Sequence, residues 1–126
     1  MSCQYAILRH EGVARPHFDV MFQSEPGGRL HTWGAEIWPP AGAVVLEQLV
    51  DHRAAYLTFE GDISSNRGTV RRIEQGKCEV LEHADGKWLM RFTPAPNGTP
   101  IILEFKREVA SAQPDRWRCQ PAGPVR

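Results

Sequence analysis

No excess of charge of either sign marks this chain: fifteen Lys and Arg stand against fifteen Asp and Glu. The molecule as a whole therefore sets up no strong field to draw in a polyanion, and any nucleic-acid contact has to be local. Cysteine is scarce. Cys3, Cys78 and Cys119 are odd in number, widely spaced and free of a CxxC pattern, which excludes a disulfide framework and a cysteine zinc site and points to a reducing cytoplasm. No apolar run approaches the length of a membrane span, and MSCQYAILRHEG has no basic region leading into an apolar core, so neither insertion nor secretion is expected. GxGxxG, GKS or GKT, HExxH, GxSxG and EF-hand patterns are all missing, which removes the commonest nucleotide, zinc-protease, hydrolase and calcium readings.

What is present is an ordinary globular composition, 41% hydrophobic and 24% charged over 126 residues. That length fits one domain spanning 1–126, with a core over about 4–118 and a frayed tail at 119–126. Ten prolines and eleven glycines interrupt the chain at short intervals, leaving room for strands rather than long helices. Expected strands are Gln4–Arg9, His17–Gln23, Arg29–Ala35, Val44–Val50, Ala55–Phe59, Gly68–Glu74, Cys78–His83, Trp88–Thr93 and Ile101–Arg107. Their spacing predicts a mainly β protein: a single compact barrel of about eight strands with one or two short helical turns. Over Ala43–Tyr56 helix and strand fit equally well, because Val45, Leu46, Leu49 and Val50 also recur at helical spacing. EPGG at 25–28, ADGK at 84–87 and PAPNGT at 94–99 read as hairpin connections. Trp117 is the last residue expected to anchor the chain to the core, and three of the four tryptophans are expected inside it.

Chemistry concentrates in HFDVMFQ. On a strand, His17, Asp19 and Met21 share one face while Phe18, Val20 and Phe22 share the other. A His-x-Asp spacing aims an imidazole nitrogen and a carboxylate oxygen at one point, and His10 joins them if Glu11–Pro16 closes a hairpin. Two histidines and a carboxylate suit manganese, iron(II) or zinc and leave coordination positions open. The bland alternative is a solvated polar pair. A second group is Asp51-His52 with Tyr56, which on a turn can donate hydrogen bonds to an oxyanion, or can divide into a core tyrosine and a surface histidine. His31 and His83 read as structural or surface residues.

In order, Arg9-His10, Pro16-His17-Phe18-Asp19, Thr32-Trp33, Asp51-His52 with Tyr56, Phe59-Glu60-Gly61 and Gly68-Thr69-Val70 resemble the 3′-phosphoesterase domain of bacterial ATP-dependent DNA ligase D. The likeness runs from about Tyr5 to about Trp117. It implies a β-barrel enzyme that uses manganese, or zinc in its place, to remove a ribonucleoside or a phosphate from DNA 3′ ends during double-strand-break end joining. By resemblance His10, His17 and Asp19 are metal ligands, and His52 and Tyr56 contact the phosphate. The implied partners are DNA or RNA-tailed DNA 3′ ends and an end-joining ligase or polymerase, with the domain itself a cytoplasmic monomer. The departures are specific. Met21 stands where the family carries a phosphate-binding arginine, the family's lysine after the Trp33 motif is missing, and little chain precedes Gln4. Arg9, Arg15, Arg53 and Arg67 are the candidates to supply the lost positive charge. The rival expectation is a metal-dependent DNA-end or protein-binding module that keeps the barrel without turnover.

Overall fold

The structure, a computed structural model, describes residues 2–63, 66–109 and 115–123. Nine strands lie in one antiparallel sheet: β1 (Cys3–Glu11), β2 (His17–Phe22), β3 (Leu30–Ala35), β4 (Val44–His52), β5 (Gly61–Asp62), β6 (Thr69–Ala84), β7 (Lys87–Pro94), β8 (Ile101–Arg107) and β9 (Arg116–Pro121). Their order is β1-β2-β3-β4-β9-β8-β7-β6-β5, and a further β1–β6 pairing joins eight of them in a closed ring, with β5 appended to β6. The expected mainly β domain is thus present, with the strand number that the spacing implied. Among the described residues no helix is long and apolar enough to cross a membrane.

Alternation along β1 and β2 explains the packing. Tyr5, Ile7, Val20 and Phe22 point into the main core, joined there by Trp33, Trp88, Phe92, Phe105, Trp117 and Cys119. Their neighbours Ala6, Leu8 and Met21 point the other way and form a second buried cluster with Leu30 and Val70, against which Tyr56, Leu57 and Ile63 pack. Strand β1 is therefore buried on both faces, which is why YAIL reads as an unbroken apolar run rather than an alternating one. Phe22 sits at the centre of the aromatic core, 5.2 Å from Trp33, 5.2 Å from Trp88 and 5.4 Å from Phe105 between ring centroids. Trp33, Trp88 and Trp117 are buried as expected. The three cysteines are free, and burial pushes the Cys78 thiol up to about 12.

Three boundaries differ from expectation. Residues expected as a strand at Ala55–Phe59 instead form a 3-10 helix, Ala54–Leu57. There the Tyr56 and Thr58 amides reach back to the Arg53 and Ala55 carbonyls, and the ambiguous segment before it is strand as far as His52. Expected strands Gly68–Glu74 and Cys78–His83 fuse into the single sixteen-residue β6. Gly76 looks like a break but is a close approach: a Cβ there would stand 2.0 Å from the Thr93 carbonyl oxygen on β7. Finally, the tail is not frayed from 119. β9 runs to Pro121, and Cys119 is fully buried between Val44 and Phe105; of the expected tail, 124–126 lies outside the described residues.

Truncating Phe22 to Ala should cost about 3–5 kcal/mol of unfolding free energy, since five ring partners, His31, Trp33, Trp88, Phe92 and Phe105, lose their contact at once. Val50→Ala, at a side chain that is mostly exposed, should stay within about 0.5 kcal/mol. Urea titration of both variants checks the contrast.

Candidate metal centre

The β1–β2 hairpin brings the three expected ligands together. His10 is the cross-strand partner of His17, and Asp19 that of Leu8, so all three side chains leave the sheet on the face of the second cluster, away from the main core. One ligand atom from each residue lies within 4.8 Å of the other two. His17 Nε2 is 3.0 Å from Asp19 Oδ1, and His10 Nδ1 is 3.5 Å from Asp19 Oδ2. The imidazole centroids are 4.9 Å apart. The Asp19 side chain is 4% exposed, against 16% and 26% for the two histidines.

The far nitrogen of each ring is held by main chain. His10 Nε2 donates to the Arg67 carbonyl at 2.7 Å, and His17 Nδ1 to the Arg15 carbonyl at 2.8 Å. A carbonyl only accepts, so these two nitrogens carry their protons, and the lone-pair nitrogens of the neutral rings are the ones that face Asp19. Two imidazole lone pairs and a buried carboxylate converging on one point is a donor set that fits a divalent cation. Without one, a proton takes its place: the hydrogen bond to Asp19 is the main cause that holds the His17 pKa above its ordinary value, against the opposing effect of burial. Glycine sets two edges of this arrangement. Gly68, at φ +87°, has no room for a Cβ beside the Glu11 carbonyl and fixes the turn that presents Arg67. Gly34, across from Asp19, leaves ordinary van der Waals space beside the His17 ring.

The other candidates are placed differently. His52 pairs with Leu30 and bonds its Nδ1 to the Val50 carbonyl at 2.9 Å. Its ring meets Tyr56 edge-on at 5.3 Å. Both lie over the second cluster, on the triad's side of the sheet, with Met21 and Leu30 between them and Asp19 along the strands. Met21 is fully buried. Among the four arginines, Arg15 pairs in solvent with Glu36 at 2.8 Å, and Arg9 turns to the opposite face with its guanidinium 4.6 Å from the Phe18 ring centre. Arg53 is exposed and precedes the 3-10 helix. Arg67 and Arg15 serve the triad through their carbonyls, a role no side-chain pattern announces. The arginine on the triad's own face is one that sequence reasoning did not single out for this role: Arg72, cross-strand from Leu8, held near the Leu57 carbonyl and Glu60.

Asp19→Asn should weaken the affinity of this site for a divalent cation by more than about 100-fold, beyond the loss typical of an outer support, while circular dichroism stays that of the wild type; isothermal calorimetry reads the first. Met21→Arg should destabilise the fold by about 3 kcal/mol or more, because it buries an unpaired charge among apolar groups. Met21→Leu should change stability by less than about 1.5 kcal/mol.

No family matches the chain by its sequence profile, and no curated protein matches it, so the likeness to the ligase D phosphoesterase domain rests on its ordered short motifs alone.

Proposed function

We propose that this domain is a divalent-metal-dependent phosphoesterase acting on 3′ ends of DNA or RNA-tailed DNA, with manganese as the first candidate ion. The observation that carries the proposal is the pair of carbonyl-held imidazoles, whose remaining nitrogens converge with Asp19 on one point. A cation held by His10, His17 and Asp19 would supply Lewis acidity toward a phosphoryl oxygen. The chain's own contribution is to hold the far nitrogen of each ring as a donor to a main-chain carbonyl, which aims the other at the shared point, and to set a carboxylate where it would neutralise the ion. Tyr56, through its phenol, and His52, whose Nδ1 proton is given to the Val50 carbonyl so that Nε2 donates only from the imidazolium form, are proposed as hydrogen-bond donors to the phosphoryl group, supported by their mutual contact and by the face they share with the triad. Removal of a 3′ ribonucleoside or phosphate places this reaction before ligation or gap filling in end joining. Three unbridged thiols suit the cytoplasm as its setting.

One observation favours the second reading, a metal-dependent binding module without turnover. Met21 is buried where a phosphate-binding arginine would be needed, and loss of such a charge-assisted contact removes about 2–4 kcal/mol of transition-state stabilisation.

The deciding experiment gives purified protein and manganese a primer-template that ends in a ribonucleotide or a 3′-phosphate. Trimming by wild type, abolished in His17→Ala and reduced in His52→Ala and Tyr56→Phe at unchanged metal affinity, is the expected result. Equal trimming by His17→Ala would sink the phosphoesterase reading. Metal-dependent binding of the end with no product would select the second.

A further inference from the structure

Strands β1 and β6 meet at a pair of like charges. Arg9 and Arg71 are direct cross-strand partners, so their side chains leave the sheet on the same face, opposite to the triad. Like charges placed this way destabilise a sheet, and the surroundings do little to relieve them. Arg71 is exposed and makes no ion pair among the described residues. Arg9 has only the exposed Glu11 carboxylate, 3.9 Å away, and the face of the Phe18 ring, 4.6 Å from its guanidinium carbon. Several basic side chains elsewhere on the sheet are matched with carboxylates: Lys87 meets Glu82 and Glu104, Arg118 meets Glu108, and Arg107 meets Asp85.

Two cations kept together without a matched counterion form a seat for an anion that comes from outside. Their position says which anion. Arg9 is followed by His10, and Arg71 is preceded by Val70, the cross-strand partner of His10; the arginine pair and the metal centre are therefore back to back at one end of the same two strands. Between them the sheet ends at Gly12 and Gly68, packed so closely that a Cβ on Gly12 would lie 3.2 Å from the Gly68 Cα. Gly68 there packs against the Glu11 carbonyl and the Val13 side chain, and this close-packed turn lies between the two faces at that end of the strands. We infer that Arg9 and Arg71 hold the phosphate backbone of a nucleic-acid strand whose 3′ terminus reaches over this turn to the triad. The inference rests on the nucleic-acid reading of the metal centre and adds to it a binding surface on the other face. The balanced net charge of the chain requires such contacts to be local, and an isolated cation pair meets that requirement.

The test uses a fluorescein-labelled twelve-nucleotide single strand with a 3′-phosphate, read by anisotropy with no turnover needed. Arg71→Glu should do two things at once. It should weaken binding by about tenfold or more at low salt and lower the slope of log affinity against log salt by about one to two. It should also raise the melting temperature of the free protein by about 1–4 °C, because an opposed Arg–Glu pair replaces two like charges. Lys77→Glu makes the same charge change at an exposed β6 residue with no ion pair among the described residues, opposite Gln4; it should leave binding at the wild-type level. Arg71→Gln provides the binding comparison should the glutamate fail to fold. Wild-type affinity in Arg71→Glu or Arg71→Gln, or equal losses in Arg71→Glu and Lys77→Glu, overturns the contact while leaving the trimming assay to judge the metal centre separately. Loss of binding in Arg71→Glu with no trimming by wild type keeps the contact and discards the hydrolytic reading.

Discussion

Double-sided pairing of β1 is the constraint on which the remainder of the molecule depends. Its hydrogen bonds to β2 align His10 with His17, and its hydrogen bonds to β6 close the ring and bring the Arg67 carbonyl beneath His10. Side chains on one face of the strand hold the aromatic core, and those on the other hold the second cluster. A one-residue slip would exchange the two faces, sending Tyr5 and Ile7 out of the core and His10 into it. Because both exchanges cost burial, the register that makes the core is also the register that assembles the metal centre.

Much of this was legible in the residues. Alternation in HFDVMFQ fixes which face carries His17 and Asp19, and the short turn-rich segment after His10 marks a hairpin; both follow from local periodicity, which tertiary packing has no reason to override. What escaped reading depended on partners distant in the chain. Gly76 resembles a break until the Thr93 carbonyl is beside it. Trp117 and Cys119 alternate as strand residues do, yet the prolines around them mask the pattern, and only pairing with β4 and β8 settles it. Arg72 stood in a cluster of arginines with nothing local to set it apart; its place on the triad's face comes from the bulge that shifts the β1–β6 register between Ile7 and Leu8.

Met21 shows how the two clusters and the centre constrain one another. It lies two residues beyond Asp19 on the same strand face and is enclosed by the second cluster. In this environment a thioether packs without desolvating a charge, whereas a guanidinium would need a partner brought in with it. The second cluster also carries the 3-10 helix that sets Tyr56 against His52, so the apolar patch that displaces a cation from position 21 is the same patch that supports the phenol.

The supports behind the two imidazoles are peptide oxygens rather than side chains. Every residue type carries such an oxygen, so drift at positions 15 and 67 can proceed without disturbing how the rings are turned. A comparison of side-chain identities would score those positions as free to vary even though the geometry of the centre hangs on where their backbone runs. The shape of the two turns, above all the left-handed glycine beside Arg67, therefore decides how the imidazoles are turned.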